Sequence, residues 1–113
     1  MLIKQGISRI VFIFDKFVIK IPNFIYCHSH FVYGCYCNLS ERKHCKRAED
    51  ITKVAYSYFC SWFGLFQIQA KCQPKLEDLT QKEIDDYEHL HTGDYKKQNF
   101  GYYNGTLVCL DYA

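Results

Sequence analysis

Lys20 and Glu41 are the first residues whose types and spacing suggest chemistry. Lys20 lies in the β-rich run FVIKI (Phe17–Ile21), on the same face as Val18, which draws its ammonium toward a partly buried surface. Glu41 falls on the apolar side of a helical pattern, with Cys37, Glu41, Cys45 and Ala48 at i, i+4, i+8 and i+11. A carboxylate there is costly to bury unless a cation meets it, so the two are expected to pair. Further on, the polar stretch HTGDYKKQN (His91–Asn99) carries Asp94, Lys96 and Asn99, and Asp111 follows at the end of the last predicted strand. A second constellation is Cys27-His28-x-His30, Cys35-x-Cys37 and His44-Cys45. Such donors bind Zn²⁺, with Cys27, His30, Cys35 and Cys37 as the candidate set. No C-x2-C pair is present, however, and Cys37 and Cys45 fall on a predicted core face, where free Cys acts as a small hydrophobe. Zinc is therefore the weaker reading.

The elements that must position these groups follow from patterning. SRIVFIF (Ser8–Phe14) and FVIKI read as two strands around an Asp15-Lys16 turn, and Pro22 ends the second. Asn23–Gly34 reads as irregular and aromatic. Asn38-Leu-Ser-Glu41 has the form of an N-cap with an acid three residues on, which predicts a helix from there to about Asp50. Val54–Trp62 and Leu65–Lys71 read as a hairpin around Phe63-Gly64, with Gln73-Pro74 ending its second strand. Thr80-x-x-Glu83 is a capping box for a helix over Gln81–Leu90, with Ile84, Tyr87 and Leu90 facing inward. Phe100–Tyr103 and Thr106–Leu110 flank Asn104-Gly105, a strong type I′ hairpin signal. The expected class is α+β with mostly antiparallel strands, in a single domain over residues 1–113.

Composition narrows the functions. The chain has 113 residues, 49% hydrophobic and 18% aromatic, enough to build a core and too apolar for a disordered chain. A formal charge of +2 does not favour a nucleic-acid partner. Seven Cys, an odd number, with no secretory leader pattern ahead of them, favour free thiols in a reducing cytoplasm. Val54–Ala70 lacks charge but contains Ser57, Ser61, Gly64, Gln67 and Gln69 and partly alternates, so no membrane span is expected. Ten Tyr, nine Phe and one Trp exceed what a core this small absorbs. Tyr33, Tyr36, Tyr102 and Tyr103, with Tyr26, Phe31 and Tyr112, are candidates for an exposed recognition surface.

In order and spacing, these residues resemble the protein-kinase-like fold. Val18-Ile-Lys20 resembles the family's third-strand lysine motif, and Glu41 stands about where the family's helix-C glutamate pairs with that lysine. HTGDYKKQN is similar to the catalytic loop H-R-D-x-x-x-x-N, with Asp94 and Asn99 at the motif's spacing and Lys96 where many members have Lys. Asp111-Tyr-Ala113 resembles D-F-G and follows a hairpin, as in the family. The likeness runs over residues 6–113. It implies an N-lobe-like antiparallel sheet with one packed helix, then a short acidic helix, a catalytic-like loop and a C-terminal hairpin. It also implies roles. Lys20, held by Glu41, would anchor nucleotide phosphates. Asn99 and Asp111 would hold Mg²⁺, Asp94 would orient an acceptor hydroxyl, and Lys96 would accompany it.

The departures set the functional expectation. The glycine-rich loop is reduced to Gly6, only Asp94 of H-R-D remains, and Ala113 replaces the last glycine of D-F-G. The helical lobe that binds protein substrates in the family is expected to be absent. The favoured reading is a cytoplasmic pseudokinase-like binding protein that docks on another protein, or on a second copy, and inhibits or regulates it. Its Ile/Lys/Phe/Tyr-rich composition resembles that of bacteriophage products, which implies a host protein as partner and the host cytoplasm as compartment. On this reading no cofactor is required. The alternative is a minimal ATP/Mg-dependent phosphotransferase working with a partner or as a dimer.

Overall fold

The computed structural model describes residues 2–6, 8–25, 27–47, 53–87 and 95–112. Among them the chain is α+β, with one five-stranded antiparallel sheet, one three-stranded sheet and two α-helices. The strands are β1 (Leu2–Gln5), β2 (Arg9–Ile13), β3 (Phe17–Pro22), β4 (Ser57–Cys60), β5 (Gln67–Ala70), β6 (Gln73–Pro74), β7 (Phe100–Tyr103) and β8 (Thr106–Cys109). The helices are α1 (His28–Cys45) and α2 (Gln81–Tyr87). The larger sheet runs β1-β2-β3-β5-β4 and the smaller β6-β7-β8. A parallel bridge between Val54 and Cys109 ties the two together.

β2 and β3 form the expected hairpin around Asp15-Lys16, which sets Val11 opposite Lys20 and Arg9 opposite Pro22. Side chains two apart on a strand share a face, so Arg9, Val11 and Lys20 lie on one side of the sheet. β5 adds Gln67 opposite Lys20 and Gln69 opposite Val18 on that side. β1 has no counterpart in the sequence reading. All four of its residues are exposed, and without a buried face an edge strand leaves no alternation to detect.

α1 corrects the sequence reading most. The helix starts at His28, inside the stretch expected to be irregular, and Asn38 lies in its interior rather than at its cap. The N-cap is Cys27, which makes no side-chain capping bond. The Asn38-x-x-Glu41 spacing is therefore not a cap: both residues are fully buried on the helix's inward side. Close approach to the sheet depends on Gly34, where an added Cβ would lie 2.3 Å from the Ser8 carbonyl oxygen and 2.8 Å from Pro22 Cα.

The apolar core gathers Cys45, Val54, Tyr87, Phe100, Cys109 and Tyr112 between the end of α1, α2 and the smaller sheet. The Thr80 capping box forms as expected: the Thr80 backbone N–H donates to Glu83 Oε1 at 2.9 Å and the Glu83 N–H to Thr80 Oγ1 at 3.2 Å. Asn104 (φ 51°) and Gly105 (φ 83°) make the left-handed turn of the β7–β8 hairpin. Gln73-Pro74 is a two-residue strand on β7 rather than the end of β5. Ala48, Leu90 and Tyr26 lie outside the described residues.

Candidate functional site

β3 brings Lys20 to α1, and the expected pair forms, with Lys20 Nζ 3.1 Å from Glu41 Oε1. Lys20 Nζ also donates to the Leu110 carbonyl at 2.6 Å, which joins the β2–β3 hairpin to the segment after β8. The pair has a third member that sequence reasoning missed. Arg9 grips Glu41 with two hydrogen bonds, Nη1 to Oε1 at 2.5 Å and Nη2 to Oε2 at 2.8 Å. The same Nη2 reaches Asp111 Oδ1 at 2.5 Å. Gln67 Nε2 donates to Glu41 Oε1 at 3.0 Å, and the Tyr112 backbone N–H to Oε2 at 3.1 Å. Glu41 thus accepts five hydrogen bonds from four residues, on the β2–β3 hairpin, β5 and the segment after β8.

Asn38 completes the cluster. Its Nδ2 donates to the backbone carbonyls of Lys20 (3.2 Å) and Gly64 (2.9 Å), and its Oδ1 accepts from Arg9 and Gln67. Two buried cations and a buried carboxylate are tolerable only with this degree of satisfaction. Burial alone would push the Glu41 carboxyl up. The charges of Lys20 and Arg9, with the Arg9 hydrogen bonds, outweigh it and hold Glu41 well below the usual carboxylate range. Burial pulls Lys20 below the usual ammonium value, against the attraction of Glu41. For Arg9, burial is overcome by Glu41 and Asp111, which fix its positive charge.

Below this cluster opens a cleft of about 710 Å³ between the larger sheet and the β7–β8 segment. Lys20, Asn99 and Asp111 all line it. Lys96 does not; it stands exposed ahead of the 3-10 turn Lys97–Asn99. Asp94 lies outside the described residues. The resemblance implies Mg²⁺ on Asn99 and Asp111. The arrangement does not fit it, because a divalent cation on Asp111 would stand against the Arg9 guanidinium already bound there. No step is therefore derived through a metal.

The four candidate zinc residues are strung along α1 and its cap, with Cys37 buried and Cys27 exposed. Among the described residues, no three of His, Cys, Asp and Glu come together to hold a metal ion. The thiols differ instead in reactivity. Cys27, 3.3 Å from Ser29 Oγ, is held below the usual thiol value by that hydrogen bond. Burial pushes Cys72 up to about 11 and Cys109 up to about 12. Limiting iodoacetamide near neutral pH should therefore alkylate Cys27 first and Cys109 last, as read by peptide mass mapping. Labelling of Cys109 ahead of Cys27 would contradict this order.

Of the recognition tyrosines, Tyr33 and Tyr36 are exposed on α1. Tyr102 is half-buried and takes a 3.3 Å hydrogen bond from Lys75 Nζ, while Tyr103 is exposed beside Tyr58. Tyr112 is buried, against expectation, because its hydroxyl donates to the Ala55 carbonyl at 2.7 Å. The expected hairpin turn at Phe63-Gly64 forms between β4 and β5, but its exposure was not foreseen: Trp62 and Phe63 are 85% and 72% exposed. No helix among the described residues is long and apolar enough to cross a membrane. No protein-family model, curated protein or solved structure matches the chain, so the kinase-like resemblance rests on its motif residues and their order.

Proposed function

We propose that this chain is a protein-binding module on a kinase N-lobe-like scaffold, a pseudokinase-like protein that docks on another protein and regulates it. The observation that carries this reading is the set of apolar side chains that α1 leaves exposed. The helix buries Gly34, Cys37, Asn38, Glu41 and Cys45 and turns Val32, Tyr33, Tyr36 and Leu39 to solvent. Large apolar side chains exposed together on one helix mark a recognition site.

The turn Trp62–Gly64 extends that face. Its Gly64 backbone lies so close to α1 that a Cβ would fall 2.2 Å from the Cys35 carbonyl oxygen and 3.1 Å from Leu39 Cγ. Phe63 holds φ 59°, an unfavourable backbone for a bulky side chain. Strain retained at an exposed aromatic turn is the pattern of a surface kept for use. Partner chemistry follows from charge. Lys43, Lys46 and Arg47 are exposed at the end of α1, whose sole acid, Glu41, is buried. The fitting partner is an apolar protein surface with an acidic rim, and a second copy meeting like to like would oppose these cations.

A host protein and the cytoplasm remain the proposed partner and compartment, on the resemblance given above. The alternative, an ATP/Mg-dependent phosphotransferase, draws on the Lys20–Glu41 pair, but the hold of Arg9 on Asp111 weighs against it.

The test places a photo-crosslinking amino acid at Tyr36, at Trp62 and, as a control, at Lys82 on α2, in cells that naturally carry the protein. The expected result is one discrete adduct with the same protein from positions 36 and 62 and none from 82. Equal adducts from all three positions, no adduct, or an adduct only with a second copy would overturn the proposal.

A further inference from the structure

The two faces of the larger sheet differ in character. Its strands carry three charged residues, Lys4, Arg9 and Lys20. Lys4 stands opposite Val11 and Val11 opposite Lys20, and Arg9 is two residues from Val11. All three charges therefore point to one side, the side on which α1 packs and Glu41 meets Arg9 and Lys20. The reverse side is apolar. One row crosses all five strands there, Ile3, Phe12, Ile19, Ile68 and Phe59, each directly opposite the next. Ile10 and Ile21 begin a second row, which ends in Gln5. Ile3 and Phe59 at the two edges are exposed, and Phe12, Ile19 and Ile68 between them are half-buried. Among the described residues, α1 is the one helix with extensive contacts to this sheet, and it lies on the charged side. A solvated face of an antiparallel sheet is ordinarily polar, whereas a row of Ile and Phe is the inner face of a stacked pair of sheets.

We propose that this apolar face packs on the same face of a second copy, as a twofold sheet-on-sheet dimer with β3 of each copy at its centre. Charge singles out a second copy. A twofold interface sets a patch against itself, so any charge on it would meet its like. The strands place none on this face. Size agrees. Five strands about 4.8 Å apart span about 24 Å, and a strand of about five residues runs about 17 Å, a flat footprint of roughly 400 Å² on each copy. Doubled, and enlarged by the relief of Ile and Phe side chains, it comes to the roughly 1,000 Å² that a specific interface needs. An interface at this lower end is reversible, so dissociation in the micromolar range is expected. Two copies also share one twist, which lets the sheets stack about 30° apart with their side chains interdigitated. The cations at the end of α1 belong to the other side of the sheet and do not oppose this contact. The inference is independent of the docking reading.

Sedimentation velocity of the full chain under reducing conditions, from micromolar to millimolar concentration, tests it. A reversible shift from monomer to dimer, with no larger species, is expected. Ile19→Lys, at the centre of the row, should weaken self-association at least tenfold, because it sets cation against cation across the twofold axis. Ile19→Glu should do the same, and the two variants mixed should associate again, since opposite charges then face each other. Phe59→Lys, at an exposed edge, should weaken the dimer at least threefold and keeps the test decisive where a position-19 variant does not fold. Tyr36→Ser with Trp62→Ser should leave the dimer unchanged, which separates this face from the docking face. A monomer at millimolar concentration, assembly beyond a dimer, a dimer insensitive to Phe59→Lys or to a folded position-19 variant, or folded Ile19→Lys and Ile19→Glu variants that stay apart when mixed would each overturn it. So would a dimer lost in the Tyr36→Ser, Trp62→Ser variant.

Discussion

Glu41→Ala should lower the stability of the fold by about 3–5 kcal/mol, the loss typical of removing one partner from a buried ion pair. Glu41 has no exposed surface and accepts from Arg9, Lys20, Gln67 and the Tyr112 backbone. Removing it leaves two cations in the interior, with Asp111 beside Arg9 as the one carboxylate left to pair with them among the described residues. A domain of this size is stable by roughly 5–15 kcal/mol, so the variant should be marginal. Urea unfolding followed by circular dichroism measures it, and a loss under about 1 kcal/mol would mean that the pair carries little. The pH dependence gives the same test without mutation. Glu41 is held below its ordinary value in the folded state, so the unfolded chain takes up that proton first. Its contribution is complete above the ordinary glutamate value of about 4.3 and is lost as pH falls below it. The urea midpoint should drop over that acid window, and Glu41→Gln should flatten the drop.

Gly34→Ala should cost about 2–3 kcal/mol, at the upper end for overpacking, because the new Cβ meets backbone that cannot swing away. It would stand 2.3 Å from the Ser8 carbonyl oxygen and 2.8 Å from Pro22 Cα. The Ser8 carbonyl is itself held, accepting from the Asn23 N–H at 2.8 Å. Relief requires α1 to lift from β2 and β3, which would also stretch Lys20–Glu41. Wild-type stability in Gly34→Ala would show that the helix can shift freely.

These two residues show what was legible in the chain and what was not. The Lys20–Glu41 pairing was readable because each residue broke an apolar pattern, and a buried charge needs its opposite. The β7–β8 hairpin and the α2 capping box were readable because their signals lie within four residues. The start of α1 was not. Residues 28–37 combine aromatics, a β-branched residue and Gly34, which favour helix weakly, and packing on the sheet overrides that preference. Asn38 imitated a cap while serving two distant carbonyls. Arg9 was not singled out, since its partners Glu41 and Asp111 lie far along the chain. A Lys20 facing Val11 across a two-residue turn was the available clue, because it places Arg9 on the same face. The exposed turn at Trp62 and Phe63 gave no clue, since aromatic residues in a hairpin read equally well as core.

The central claim is that α1 and the turn Trp62–Gly64 form a docking face. Its most direct test is the affinity of the cross-linked partner for the wild-type chain and for the double variant Tyr36→Ser, Trp62→Ser. Anchoring aromatic residues cost about 2 kcal/mol or more each when truncated, while exposed positions away from an interface change fold stability by roughly 0.5 kcal/mol or less. Binding weakened a hundredfold or more at an unchanged melting temperature is the predicted result, and unchanged affinity in a folded double variant would contradict it.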